Sequence, residues 1–280
     1  MTQRIVSTTI LWLSLIAILM LFQTVGGLII ILVVALLTQA ELYGLFRKMD
    51  QRADAKTGLI CGGLVVVVPY LTGRPDASAD VLAFCLIVLT LTILGRNMFA
   101  GRVRSLGATL FGLVYVPFLF HFFVRLIQLC EIEGLGAGVG KYLAIWIVAV
   151  AKFTDVGGLL AGRQFGRTPL APAISPKKTY EGCLGGLALS ALVAAILAAL
   201  GPVFFETFPK AFTPWLAALI AVPVAIASIA SDLIESQLKR AAGVKDSGTI
   251  VPGIGGVFDL TDSIILCAPL GYLLIKYLAL

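Results

Sequence analysis

A chain of 280 residues in which 59% of the side chains are hydrophobic and only 13% charged, with a mean hydropathy of +1.02, is too apolar for a water-soluble domain, which carries about 25% charged residues. Lipid is the expected solvent for much of it, and the +6 formal charge finds no basic patch on a soluble fold that would make it a nucleic-acid binder. Cys61, Cys85, Cys130, Cys183 and Cys267 are odd in number and scattered through apolar runs, a spacing that excludes a disulfide framework and a zinc site.

A membrane-spanning helix needs roughly 20 mostly apolar residues. Taken in order, nine segments meet that requirement: 5–22, 26–45, 57–73, 80–95, 106–127, 141–161, 183–204, 212–236 and 260–279. The first follows Arg4 but lacks a small-x-small cleavage site, so it reads as a span and not as a signal peptide. The third and fourth are short, and the eighth is long enough to project beyond the bilayer. Strands are not expected, because the apolar runs are too long and continuous for barrel staves. The fold class is an all-α polytopic membrane protein of about nine transmembrane helices. It reads as one membrane domain over 1–280, with N-terminal spans in 1–140 and a second half in 141–280 that carries the motif loops 162–181 and 237–259.

Most of the 21 basic residues fall in every second connection: Arg47, Lys48, Arg52 and Lys56; Arg96, Arg102 and Arg104; Arg163, Arg167, Lys177 and Lys178; Lys239, Arg240 and Lys245. Positively charged loops stay on the cytoplasmic side, so the N-terminus is predicted to be cytoplasmic and the acidic connection at 128–140 to lie outside. Two cytoplasmic loops are long and polar, 162–181 and 237–259.

Ionised groups within spanning segments are costly unless paired or hydrated, which marks them as functional candidates. Asp155, Asp232, Glu235, Asp259 and Asp262 all lie near helix ends that this topology brings to the cytoplasmic leaflet. Asp232, Glu235, Ser236 and Lys239 share one helical face, and Asp259 and Asp262 are likewise i, i+3. Clustered carboxylates repel one another unless a cation offsets them, and hard oxygen ligands suit Mg²⁺; a second cation is also open. Lys177, Lys178, Lys239, Arg240 and Lys245 are placed to hold phosphate oxygens, and acids for a metal beside bases for phosphates is the arrangement of phosphoryl and nucleotidyl transfer. Simpler local pairings compete: Asp155 with Lys152, and Glu235 with Lys239 at i+4.

Gly253, Gly255 and Gly256 allow backbone N–H groups to approach an anion ahead of the ninth span, and Ser175-Pro176-Lys177-Lys178-Thr179 has a similar phosphate-binding character. Gly134 to Lys141 only superficially suggests a P-loop, since Leu135 and Tyr142 occupy the required Gly and Ser/Thr positions. His121, among phenylalanines, reads as a packed helix residue.

Ser236-x-x-Lys239-Arg240-x-x-x-x-Lys245-Asp246 and Pro252-Gly253-x-Gly255-Gly256-x-x-Asp259-x-x-Asp262 closely resemble the signature of the phosphatidate cytidylyltransferase (CDP-diacylglycerol synthase) family. A second block, Asp155…Gly162-Arg163…Phe165-Gly166 followed by Ser175-Pro176-Lys177-Lys178-Thr179-x-Glu181-Gly182, is similar to another stretch of it. Ile254 and Leu260 stand where the family has His and Arg, which argues against an obligatory imidazole proton donor in the glycine loop. The resemblance implies transfer of cytidylyl from CTP to phosphatidate, giving CDP-diacylglycerol and pyrophosphate. It implies metal ligation by Asp232 and Asp259, with Asp246 next and Asp155, Asp262 and Glu235 behind them. It also implies nucleotide or pyrophosphate contacts from Lys239, Arg240, Lys245, Ser175, Lys177 and Lys178, with Thr179, Ser236, Gly253, Gly255 and Gly256 as further substrate-binding positions. A homodimer in a bacterial inner membrane, with its active site facing the cytoplasm, completes the expectation. A CTP-dependent polyprenol kinase and an ion-coupled transporter are the alternatives.

Overall fold

The computed structural model describes residues 23–92, 99–251 and 255–280; the expected first span and Gly253 lie outside them, as do Arg4, Arg96 and the end of the fourth span. Helices α1 (Gln23–Lys48), α2 (Ala55–Leu71), α3 (Ala77–Leu91) and α4 (Phe99–Leu113) follow in order. A π-helical turn at Val114–Phe118 joins α4 to α5 (Leu119–Ile132), and the widened turn coincides with Pro117, which has no N–H to donate. After α6 (Ala137–Phe165) come strands β1 (Pro169–Ala171) and β2 (Ser175–Thr179), then α7 (Tyr180–Phe204), α8 (Pro214–Ala241), a single turn α9 (Phe258–Thr261) and α10 (Cys267–Leu278).

Among the described residues, five helical stretches are long and apolar enough to cross a membrane: Val25–Lys48, Gly101–Ile132, Ala137–Phe165, Tyr180–Phe204 and Pro214–Ala241; α2, α3 and α10 are shorter apolar helices. The protein is therefore an all-α polytopic membrane protein. At 1.5 Å per residue the 28 residues of α8 run about 42 Å, beyond the roughly 30 Å hydrocarbon layer, as expected from the sequence. Side chains such as Leu184, Val203, Phe204 and Trp215 are exposed, an arrangement that makes sense only with lipid around them.

Two sequence expectations need correction. The ninth span is not one helix: α9 stops at Thr261, residues 262–266 form turns, and α10 begins at Cys267. The break is set by two hydrogen bonds, one local and one from α8. The Asp262 carboxylate accepts the Ser263 N–H at 2.6 Å, and the Ser231 hydroxyl donates to the Asp262 carbonyl, so short polar side chains take the groups a helix would use. Strands are also present, as a small antiparallel hairpin in the 162–181 loop pairing Pro169 with Thr179 and Ala171 with Ser175. Being polar and half-exposed, it is a loop device and not a barrel stave.

The chain divides into two compact units, one of Met1–Arg125 with Leu238–Thr261 and one of Leu126–Gln237 with Asp262–Leu280. In the first, Tyr43 is buried where α1, α2 and α4 converge: its hydroxyl donates to the Thr109 carbonyl at 2.8 Å and accepts from Gln39 Nε2 at 2.9 Å. Gly58 and Gly112 leave the space its ring fills. Asp54 caps α2 through Thr57. His121 is buried with Nδ1 on the Phe118 carbonyl, the packed role expected of it.

In the second unit, α6 and α7 approach backbone to backbone. A Cβ on Gly157 would lie 2.6 Å from the Gly185 carbonyl oxygen, and one on Gly186 2.7 Å from the Thr154 carbonyl. Lipid tails are as apolar as leucine, so such helices associate by close packing of small residues. Trp146 donates to the Ala194 carbonyl across the same interface at 3.0 Å. Gly157→Val should therefore destabilise the detergent-solubilised protein by about 1–3 kcal/mol, read as a lower midpoint for loss of the monodisperse peak on heating. The glycines at 134 and 136, both at positive φ, make the turn between α5 and α6 and have no P-loop geometry.

Candidate active site

The carboxylates of the second unit come together first. α8 presents Asp232 and Glu235 one turn apart on one face, and the break after Thr261 presents Asp262 to them. One oxygen from each of the three lies within 4.8 Å of the others. Glu235 is wholly buried. Lys178 forms an ion pair with Asp232, and Ser236 donates to Asp232 Oδ1 at 3.4 Å. Nearby, Lys152 Nζ lies 3.9 Å from Asp155 Oδ2 and donates to Ser263 Oγ at 2.8 Å. Asp155 thus has the local lysine partner expected as the simpler reading of its charge.

Lys178 reaches Asp232 because of the hairpin. Successive side chains of a strand point to opposite faces, so Lys177 is exposed while Lys178 is half-buried. The hairpin is fixed at its end: Thr179 Oγ1 accepts the Gly182 N–H at 3.1 Å and caps α7, while Glu181 accepts the Arg167 and Thr168 N–H groups at 3.1 and 3.2 Å. The Thr179 hydroxyl, expected to touch substrate, here accepts the cap. Ser175 opens β2 and is half-buried.

Three carboxyl oxygens this close carry mutual repulsion, which the Lys178 and Lys152 ammonium groups reduce. A divalent cation with oxygen ligands fits the donor set. Mg²⁺ takes oxygens at 2.0–2.1 Å, so ligands on opposite sides of it stand about 4.2 Å apart, within reach of small rotations of these side chains.

In the first unit a different arrangement surrounds Asp259, at the start of α9. Oδ1 takes Lys239 Nζ at 2.9 Å; Oδ2 accepts the Ser247 and Gly256 N–H groups at 3.0 and 2.7 Å and faces the Ser247 hydroxyl at 3.0 Å. Lys239, in the last turn of α8, is the cation of this pair. The glycine requirement is steric: Gly255 has φ +131° with Asp259 Oδ2 where a Cβ would go, and a Cβ on Gly256 would collide with Ser247 Oγ and the Glu41 carboxylate. Val251 and Gly255 close the loop with two backbone hydrogen bonds of 2.8 and 3.0 Å. Asp246 lies beside Gly255; Arg240, Lys245 and Asp246 are exposed.

A model of the cytidylyltransferase family matches residues 2–278. The chain belongs to the cytidylyltransferase family. Curated relatives agree. The chain is 31% identical over 250 residues, 88% of its own length and 89% of the relative's, to a phosphatidate cytidylyltransferase of Staphylococcus saprophyticus. It is 32% identical over 210 residues, 74% of each chain, to that of Staphylococcus haemolyticus. To phosphatidate cytidylyltransferase 4, chloroplastic, of Arabidopsis thaliana it is 33% identical over 236 residues, 78% of this chain and 57% of that one. Membership makes it a nucleotidyl-transferring enzyme.

Sequence reasoning missed Glu41. It lies in α1, within the second expected span, and is 9% exposed. Its Oε1 accepts the Val257 N–H at 2.9 Å, and its Oε2 accepts the Phe258 N–H at 2.8 Å and the Ser247 hydroxyl at 2.8 Å. The signal was present: Glu41 is an acid near the end of an apolar run, like the acids that were singled out. Ser247 carried no comparable signal.

Proposed function

We propose that this protein transfers the cytidylyl group of CTP to phosphatidate, releasing pyrophosphate and forming CDP-diacylglycerol, with Mg²⁺ held by Asp232, Glu235 and Asp262. The observation that carries the reading is the convergence of those three carboxylates beside Lys178 in a cytidylyltransferase. A phosphatidate oxygen bonds to the α-phosphorus of CTP while the bond from that phosphorus to the departing pyrophosphate breaks. The phosphate monoester is largely dianionic near neutral pH, so the nucleophile needs no general base, and catalysis rests on positioning and charge neutralisation. A Mg²⁺ held by Asp232, Glu235 and Asp262 would supply charge neutralisation for the phosphates.

The chain's own cations do the rest. Lys178, rigidly mounted on β2, neutralises a phosphate oxygen when substrate displaces it from Asp232; Ser175 and Lys177 on the same strand extend that contact. Lys239, Arg240 and Lys245 are assigned to oxygens of the nucleotide, with the glycines of the 237–259 loop allowing close approach. Metal ligation by Asp259 and Asp246, which the family resemblance implies, is a separate part of the proposal and would concern a second cation. The reading includes a cytoplasmic active site in a bacterial inner (plasma) membrane, supported by the basic residues of alternate connections and the compact loops, and a homodimer, carried over from the family resemblance.

Purified enzyme in mixed micelles should release pyrophosphate from CTP only when both phosphatidate and Mg²⁺ are supplied. EDTA should reduce the rate to background, and added Mg²⁺ should restore it. Formation of CDP and a phosphorylated lipid in place of pyrophosphate and a CDP-lipid would replace this reading by a lipid kinase.

A further inference from the structure

Glu41 is a carboxylate buried in an apolar helix, and its hydrogen-bond donors come from the glycine loop and the first turn after it, more than 200 residues on: Ser247 is 206 residues away, Val257 216 and Phe258 217. Two of those partners are consecutive backbone N–H groups where α9 begins, which have no helical acceptor of their own. The third is the hydroxyl of Ser247, which also stands 3.0 Å from Asp259 Oδ2. A hydroxyl has one proton to give. Held by Glu41 on one side and Asp259 on the other, Ser247 Oγ couples the two carboxylates, while the Ser247 and Gly256 N–H groups complete the grip on Asp259. The absence of a Cβ at Gly256 is what lets Glu41 come this close.

Resting on the function proposed above, we propose that Glu41 is a positioning residue for the reaction: by holding Ser247, Val257 and Phe258 it fixes the backbone around Asp259, and so aims Asp259 and its Lys239 partner. It touches neither substrate nor metal and acts through Ser247, Val257 and Phe258. A carboxylate suits this work, since it accepts on both oxygens and so satisfies three donors at once. The isosteric amide accepts on one oxygen only and turns an NH₂ toward a backbone N–H, so Glu41→Gln loosens the loop while conserving volume.

The test compares wild type, Glu41→Gln and Ser247→Ala in detergent by amide hydrogen exchange and by steady-state kinetics of pyrophosphate release. Faster exchange is expected over residues 246–251 and 255–258 in both variants, with α2 unchanged. kcat is expected to fall about 10–100-fold, the range seen when groups that orient catalytic ligands are removed, with KM for CTP and for phosphatidate within about twofold, because preorganisation acts on the transition state. The double variant should be little worse than either single one, since both remove the same link. Unchanged exchange in the loop would overturn the inference, and so would faster exchange with an undiminished kcat, or a defect confined to the yield of folded protein. Should Glu41→Gln fail to fold, Ser247→Ala carries both measurements. If wild type releases no pyrophosphate, the functional reading fails, and the exchange comparison still decides whether Glu41 orders the loop.

Discussion

Asp232→Asn should lower pyrophosphate release by at least about 10²–10³-fold, the loss typical of removing one preorganised electrostatic contact, while leaving the protein as stable as wild type or more so. The two effects have one cause. Asp232, Glu235 and Asp262 crowd three carboxyl oxygens within 4.8 Å; neutralising one relieves repulsion in the metal-free protein and removes a ligand from the metal-bound one. A site that carries unfavourable charge for function shows this opposition between activity and stability. Two measurements check it. The first is turnover at saturating CTP and phosphatidate. The second is the thermal midpoint with and without Mg²⁺, which should rise with metal in wild type by linkage and fail to rise in the variant. Near-normal turnover in Asp232→Asn would remove the site as the centre of the chemistry.

Asp259→Asn is the second large effect, and its mechanism is different. Donors surround this carboxylate: Lys239 on one oxygen, the Ser247 and Gly256 amides on the other. An amide in its place keeps one accepting oxygen. Its NH₂ must then face either the Lys239 ammonium or backbone N–H groups, and the lysine loses this counter-charge. About 10²-fold loss of turnover is expected, by analogy with losing one oriented electrostatic contact. Lys239→Met should add little to it, because residues in one ion pair act as a unit. Additive losses in the double variant would show that Lys239 and Asp259 act separately, which the 2.9 Å pair argues against.

The sequence was most informative where the physics is local. Span lengths follow from bilayer thickness, so α1, α6, α7 and α8 were legible, as were the shortness of α2 and α3. The i, i+3 spacing alone puts Asp232 and Glu235 on one face of α8. The motif blocks brought the family into view, and the family match over residues 2–278 agrees. The hairpin that carries Lys178 was missed because three- and five-residue strands leave no periodic trace in a polar loop. The break at 262–266 was missed because Asp262 and Ser263 interrupt the helix only by finding partners, one of them the Ser231 hydroxyl.

By itself the sequence determined that this is a membrane protein of many apolar helices with displaced acids and bases at their ends, because hydropathy and the cost of burying charge are properties of each segment alone. The tertiary structure decided which acids meet. Asp262 joins Asp232 and Glu235 across a helix break, and Glu41 closes on a loop 206 residues downstream. Those contacts depend on distance in space, and neither helical period nor hydropathy records which distant residue will supply the hydrogen-bond partner a buried group must have.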